Sequence, residues 1–311
     1  MSGPSRAQII PRGPFSLQAA AEFGFGPNEG QAMAFDGAMR LAFPVDGGSG
    51  YAGLVLRQDD VDGPVLVELD LRGGATADRA IAQAARIVSL DDDGAAFARL
   101  GDTDLVLGEL LRLHLGQRPV LFPSPYEAAA WSIISARRPA AQAAAVRVGI
   151  ADRFGTRFEL AGVDAPAFPQ PEKLLVLPED HPGLNPEKVH RLRAVAGAAR
   201  DGMLDVERLH QLGAERAYEE LQRLPGIGPF YAGLIVLRAS GFADAPLLTA
   251  EPRVMGHAAR LYGRPELADD LHAFRELAER WRPFRTWATV LIRLAGNRAG
   301  SASAPPAATQ D

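Results

Sequence analysis

From Phe15 to about Leu90 the apolar positions come in short runs broken by glycine and aspartate: Leu41–Val45, Tyr51–Arg57 and Val65–Leu71. Runs of this length, with Gly47-Gly48 and Asp62-Gly63 as turn signals, predict antiparallel strands. One amphipathic helix follows, with Thr76 as N-cap and Val88 near its end. After Leu90 the period becomes helical. Ser124-Pro125-Tyr126-Glu127 is a capping box with proline at the first helical position, opening a helix through Trp131 and Ile134. Pro139 interrupts it, and a second helix runs from Ala140 towards Phe154. Asn185-Pro186 caps another ending near Arg200, and two more cover Ala214–Arg223 and Pro229–Ala239. Residues 1–12 and 300–311 are small, polar and Pro/Ser-rich, so both ends are expected to be disordered.

The last two helices are joined by Leu224-Pro225-Gly226-Ile227-Gly228. Glycines at Gly226 and Gly228 suggest backbone angles closed to other residues and uncovered peptide N–H groups. With the positive end of the helix beginning at Pro229, such a turn suits one phosphate, held without sequence information. Glycine turns between helices are common, so the surroundings must decide. Downstream, Pro252 at a first helical position makes Glu251 an N-cap. Glutamate is a poor cap, which suggests a carboxylate chosen for something other than capping; the plainer alternative is an exposed glutamate complementing the helix dipole.

Composition narrows this further. With 311 residues the chain can bury a large core, and it has no cysteine, hence no disulfide, thiolate zinc site or cysteine-ligated cluster. It has no apolar run of membrane length and no signal-like start, so a cytoplasmic protein without a membrane partner is expected. Residues 1–130 carry 10 basic against 17 acidic side chains, and residues 131–300 carry 23 against 20. Only Lys173 and Lys188 of those 23 are lysines. The arginine bias suits phosphate contacts, or reflects codon usage. The six histidines lack metal-ligand spacing, and Asp91-Asp92-Asp93 is most simply a solvated turn. No cofactor or metal is expected.

On the hairpin, Glu251-Pro252-Arg253-Val254, and the stretches 122–148, 168–174, 184–204 and 279–296, the chain resembles the helix-hairpin-helix DNA glycosylases, in particular the bacterial 3-methyladenine DNA glycosylase II branch. The resemblance covers roughly residues 90–298. It implies a mainly α fold of two helical subdomains, 91–299, with the hairpin at 214–239 and a small N-terminal α+β domain over 13–90. It also implies a monomer that binds double-stranded DNA, flips a damaged base, most simply an alkylated one, and hydrolyses its bond to deoxyribose. Glu251 aligns with the aspartate that does the chemistry in this family. Phe230 stands where bifunctional relatives carry a nucleophilic lysine, which implies no strand cleavage.

Three positions depart from the pattern. Glu251 is one methylene longer than aspartate. Arg137 stands where an apolar residue fills the gap left by the flipped base. Arg293 and Leu234 replace pocket aromatics, leaving Trp131, Phe230, Tyr231, Trp281 and Trp287 as the rings that could wall a base pocket, although such residues are more often core. The alternative function is a related protein that binds damaged or distorted DNA without cutting it.

Overall fold

The strand pattern of residues 39–73 closes into an antiparallel sheet with an extra strand at its edge. The structure, a computed structural model, describes residues 5–23 and 35–302. In chain order, β1 (Ser5–Ile9) and α1 (Leu17–Ala21) precede β2 (Met39–Pro44), β3 (Gly50–Arg57) and β4 (Val65–Gly73), and the sheet order is β1-β4-β3-β2. β1 corrects the expectation that residues 1–12 are disordered: Ser5 pairs with Leu69 and Ile9 with Val65. An edge strand is held through its main chain, so a polar composition does not prevent it. The segment after it is pinned by buried Arg118, which donates to the carbonyls of Arg12 and Gly13.

α2 (Ala77–Ile87) lays Ala80, Gln83, Ala84 and Ile87 on the sheet, the i, i+3, i+4, i+7 stripe of an amphipathic helix. The opposite sheet face is covered by a hairpin the sequence reading had not separated from its helices, β5 (Thr156–Leu160) and β6 (Val163–Ala167). Phe158 of β5 seats over Gly53, where an added Cβ would lie 2.5 Å from its ring.

The helices divide between two apolar cores. α3 (Gly94–Ala98) and α4 (Leu105–Leu113) come first, then α5 (Pro125–Ser135), α6 (Ala140–Phe154), α7 (Pro171–Leu174), α8 (Pro186–Arg200), α9 (Val206–Leu212), α10 (Ala214–Leu221) and α11 (Pro229–Arg238). α12 (Pro252–Tyr262), α13 (Leu271–Ala278) and α14 (Arg285–Ala302) complete the chain. Buried residues of α5 to α11 form one core, whereas α3 and α4 cross over to join α12, α13 and α14 in the other. Asp104 locks that crossing. Its buried carboxylate caps α4 and accepts from Tyr262 Oη at 3.0 Å and Trp281 Nε1 at 3.3 Å.

Two local expectations change. Ser124 Oγ accepts from Glu127 N at 3.1 Å, but the Glu127 carboxylate pairs with Arg147 at 2.7 Å instead of returning to Ser124, so the capping box is half formed. The aspartate triplet is more than a solvated turn, because Asp93 caps α3 through Ala96 N and the Asp91 carbonyl accepts from Arg12. α14 runs through Ala302, into the segment expected to be disordered, while residues 1–4 and 303–311 of the expected disordered ends lie outside the described residues.

Candidate active site

The turn between α10 and α11 is anchored by two buried side chains, Leu224 and Ile227, and exposes Pro225, Gly226 and Gly228 between and beyond them. Ile227 N donates to the Leu224 carbonyl at 3.0 Å, which closes the turn. Gly226 has φ +86, and a Cβ there would meet Arg191 Cδ at 2.8 Å and Ile133 Cδ1 at 2.9 Å. Gly228 differs from expectation. Its φ of −88 and ψ of −175 are open to any residue, and a Cβ there would meet nothing within 4 Å. Its value is an unobstructed surface. The N–H groups of Gly226, Gly228, Phe230 and Tyr231 find no acceptor among the described residues, so several donors stand at one helix start.

Cations gather behind this turn. Lys188 on α8 donates to the carbonyls of Ile134 and Ala136 at 2.9 and 2.8 Å, closing the C-terminus of α5. Burial, and then the neighbouring Arg138 and Arg191, hold its ammonium below the usual lysine range. Between α5 and α6, Arg137 is exposed with φ +55, a conformation that costs an L-residue energy and so marks a constrained position.

Glu251 opens α12, and Val254 N donates to its Oε2 at 2.7 Å. The side chain therefore does cap its helix, which was not expected of a glutamate: its longer side chain reaches the third residue of its own helix with one oxygen. Oε1 accepts no hydrogen bond among the described residues. Glu251 lines a small open cleft of about 60 Å³ between the two helical cores. One wall is a single face of α11, made of Phe230, Gly233, Leu234, Leu237 and Arg238; another is a single face of α14, made of Thr286, Thr289, Val290 and Arg293. Leu247, Leu248 and Thr249 lead into Glu251 and complete it.

No family model matches the chain. A "probable bifunctional transcriptional activator/DNA repair enzyme AlkA" of Mycobacterium tuberculosis is 27% identical over 258 residues, 82% of this chain and 49% of the relative. The chain thus spans about half the length of that relative. A DNA-3-methyladenine glycosylase of Bacillus subtilis is 24% identical over 207 residues, 65% of this chain and 67% of its own. A solved 3-methyladenine DNA-glycosylase from Archaeoglobus fulgidus superposes with a TM-score of 0.73 at 22% identity, over 94% of this chain and 98% of that one. The apo form of an 8-oxoguanine glycosylase/lyase from Clostridium acetobutylicum does so with a TM-score of 0.64 at 18% identity, over 94% and 98%. The chain has the helix-hairpin-helix DNA glycosylase fold and is AlkA-like.

Within this glycosylase fold the expected residues fall into two groups. Glu251, Phe230, Leu234 and Arg293 line one cleft, and Leu224 to Gly228 form the turn at the start of the helix that walls it. Trp131, Trp281 and Trp287 are core. Trp131 is buried in the α5–α11 cluster, Trp281 packs edge-on against Phe274, and Trp287 packs on Phe97 and Phe284 with centroids 5.2 and 5.3 Å away. Large rings contribute most when fully buried, and these helices had cores to fill. Tyr231 is half-buried and packs edge-on against Phe230 without lining the cleft. Thr286, Thr289, Leu237 and Arg238 were missed, although their i, i+3, i+4 spacing to Phe230, Leu234 and Arg293 was present in the sequence.

Proposed function

We propose that this protein is a DNA glycosylase that hydrolyses the bond between a damaged base and deoxyribose in duplex DNA, without cutting the strand. The observation that carries this reading is the placement of Glu251 in a cleft whose other wall is the second helix of the hairpin. A phosphate on the N–H groups at Gly226 and Gly228 fixes the backbone near the cleft, and the flipped base enters between the faces of α11 and α14. Arg137, exposed in its constrained turn, fills the gap in the stack.

At the sugar, water adds to C1′ as the C1′–N bond breaks and its electron pair leaves with the base nitrogen. The water's proton passes to the Glu251 carboxylate and on to solvent or the departing base. Val254 N–H fixes one oxygen of Glu251, leaving the other for the water and the sugar cation. No lysine lines the cleft, and Lys188 is occupied by two carbonyls, so no amine is placed to attack the sugar. Alkylated bases are the class suggested by the relatives' names. The protein acts as a monomer on DNA in the cytoplasm; among the described residues no helix is long and apolar enough to cross a membrane.

The test is a mass-spectrometric screen of bases released from alkylated, deaminated and oxidised duplexes. Wild type releases base, and Glu251→Gln loses about 100-fold or more while still binding the duplex. A second reading, a binder of damaged DNA that has lost catalysis, is favoured by the extra methylene, which displaces the carboxylate by about 1.5 Å from an aspartate's. Identical behaviour of wild type and Glu251→Gln across the panel would decide for it.

A further inference from the structure

Helix α8 touches two turns at once, the hairpin and the turn between α5 and α6. Arg191 lies against the hairpin, its Cδ 2.8 Å from where a side chain on Gly226 would begin. In the first turn of the same helix Lys188 reaches the other way, to the carbonyls of Ile134 at 2.9 Å and Ala136 at 2.8 Å. The loop leading into α8 adds a third tie, because Arg138 donates to the Gly183 carbonyl. These bonds flank Arg137 on both sides, yet its own exposed side chain makes no hydrogen bond or ion pair among the described residues.

Lys188 is out of place by local rules. It is the third residue of α8, where the positive end of the helix favours Asp or Glu and disfavours a cation. Asn185 Oδ1 accepts from its main-chain N–H at 2.9 Å, so the helix start needs nothing from its side chain. The chain also has two lysines among 33 basic residues, so arginine is its ordinary cation. What the position gains lies on α5. Arg138 N donates to the Ser135 carbonyl, and the carbonyls of Ile134 and Ala136 are left at the helix end without main-chain donors among the described residues. A compact ammonium with rotatable donors joins two such carbonyls at one point, which suits lysine better than the planar fork of arginine.

The Ala136 carbonyl belongs to the peptide that leads into Arg137, whose φ is +55. A left-handed residue is held there only if its surroundings determine it, and fixing that peptide does so. A side chain that fills a gap in the stack must press between bases, and any give in its turn is lost from the insertion. Resting on the reading of Arg137 as that side chain, we infer that Lys188 is its positioning residue: by tying the end of α5 to α8 it preorganises the Arg137 turn and keeps it in register with the hairpin.

The readout is the fluorescence of 2-aminopurine opposite a tetrahydrofuran abasic-site analogue in a duplex, at saturating protein. The gap is open beforehand and no bond is cut, so the signal reports insertion alone. Wild type changes the signal, and Arg137→Gly abolishes the change. Lys188→Met, which keeps the stem and loses the donors, lowers the insertion equilibrium about tenfold, and Lys188→Gln, which can keep one carbonyl, loses less. The chain has no cysteine, so Lys188→Cys carries a single thiol; 2-bromoethylamine converts it to an ammonium of lysine's length, and insertion returns. In an Arg137→Gly background Lys188→Met has no further effect on affinity for the same duplex, whereas a merely structural role lowers affinity in both backgrounds.

Insertion unmoved by Lys188→Met, an equal loss of affinity in both backgrounds, or no return with the added amine overturns the inference. If Arg137→Gly also leaves the signal unmoved, Arg137 does not fill the stack and that reading falls with it. If insertion depends on both residues while the screen for released bases finds nothing, the inference stands and the glycosylase reading falls. If release is lost in Glu251→Gln and insertion ignores Lys188, the glycosylase reading stands and the inference falls.

Discussion

The hairpin turn and the cleft share helix α11 and use it in different ways. At its start exposed backbone N–H groups are the proposed phosphate contacts, and the buried side chains of Leu224 and Ile227 anchor the turn that presents them. Along its length the backbone is closed in its own hydrogen bonds, and Phe230, Leu234, Leu237 and Arg238 form a wall. Backbone chemistry is the same for every nucleotide, so the turn can fix DNA without choosing a sequence. Side-chain chemistry is set residue by residue, so in the proposed function the wall is where a substrate would be chosen.

The sharpest way to break this division is to place a charge in the turn without disturbing the fold. Gly228 faces open space and has ordinary backbone angles, so Gly228→Glu folds with a stability change within about 0.5 kcal/mol. Its carboxylate then sits among the N–H donors, and duplex affinity falls about 100-fold at low salt with a shallower salt dependence. Titrations at several salt concentrations measure this; unchanged affinity would remove the phosphate from the turn.

Gly226 sets the complementary test. An alanine there must hold φ +86 and push on Arg191 and Ile133, so Gly226→Ala costs about 2 kcal/mol in denaturant unfolding, whereas Gly228→Ala costs little. Equal stability of the two variants would mean that the glycines do not have separate tasks.

Arg137 separates stability from function at a smaller scale. Replacing it by glycine relieves the left-handed backbone and stabilises the fold by about 1 kcal/mol. The same change removes the side chain proposed to fill the stack, and on that proposal base release falls about tenfold. A variant that is more stable and equally active would show the turn to be strained for another reason.

The two regions also differ in how far the sequence reveals them. A turn is local: Leu224 to Gly228 and Glu251-Pro252 carry their geometry in consecutive residue types, and both could be placed before any tertiary contact was known. The cleft is assembled from faces of α11 and α14, some sixty residues apart, and spacing alone does not say that those faces meet. Aromatic residues misled for a related reason. Trp131, Trp281 and Trp287 have the size a base pocket needs, but the same size made them core residues of the two helical clusters. β1 was hidden because an edge strand can hold its place with few buried side chains.

The crossing from the sheet domain into the helices contrasts with both, since it carries charge without facing the proposed DNA site. Burial, and then the neighbouring Asp91, push the Asp92 carboxyl up to about 6. Its folded-state value lies above its unfolded one, so the favourable contribution is full below the unfolded value near pH 4 and is lost as pH rises through about 6. At pH 7.5 the ionised Asp92 therefore costs stability, and Asp92→Asn raises Tm by about 1–2 °C, with the gain shrinking to nothing towards pH 4. The effect is smaller than the displaced titration alone would suggest, because the side chain is half-exposed and solvent screens it. Melting curves between pH 4 and 8 measure the difference. A gain independent of pH would assign it to packing and leave the charge at the crossing without a role.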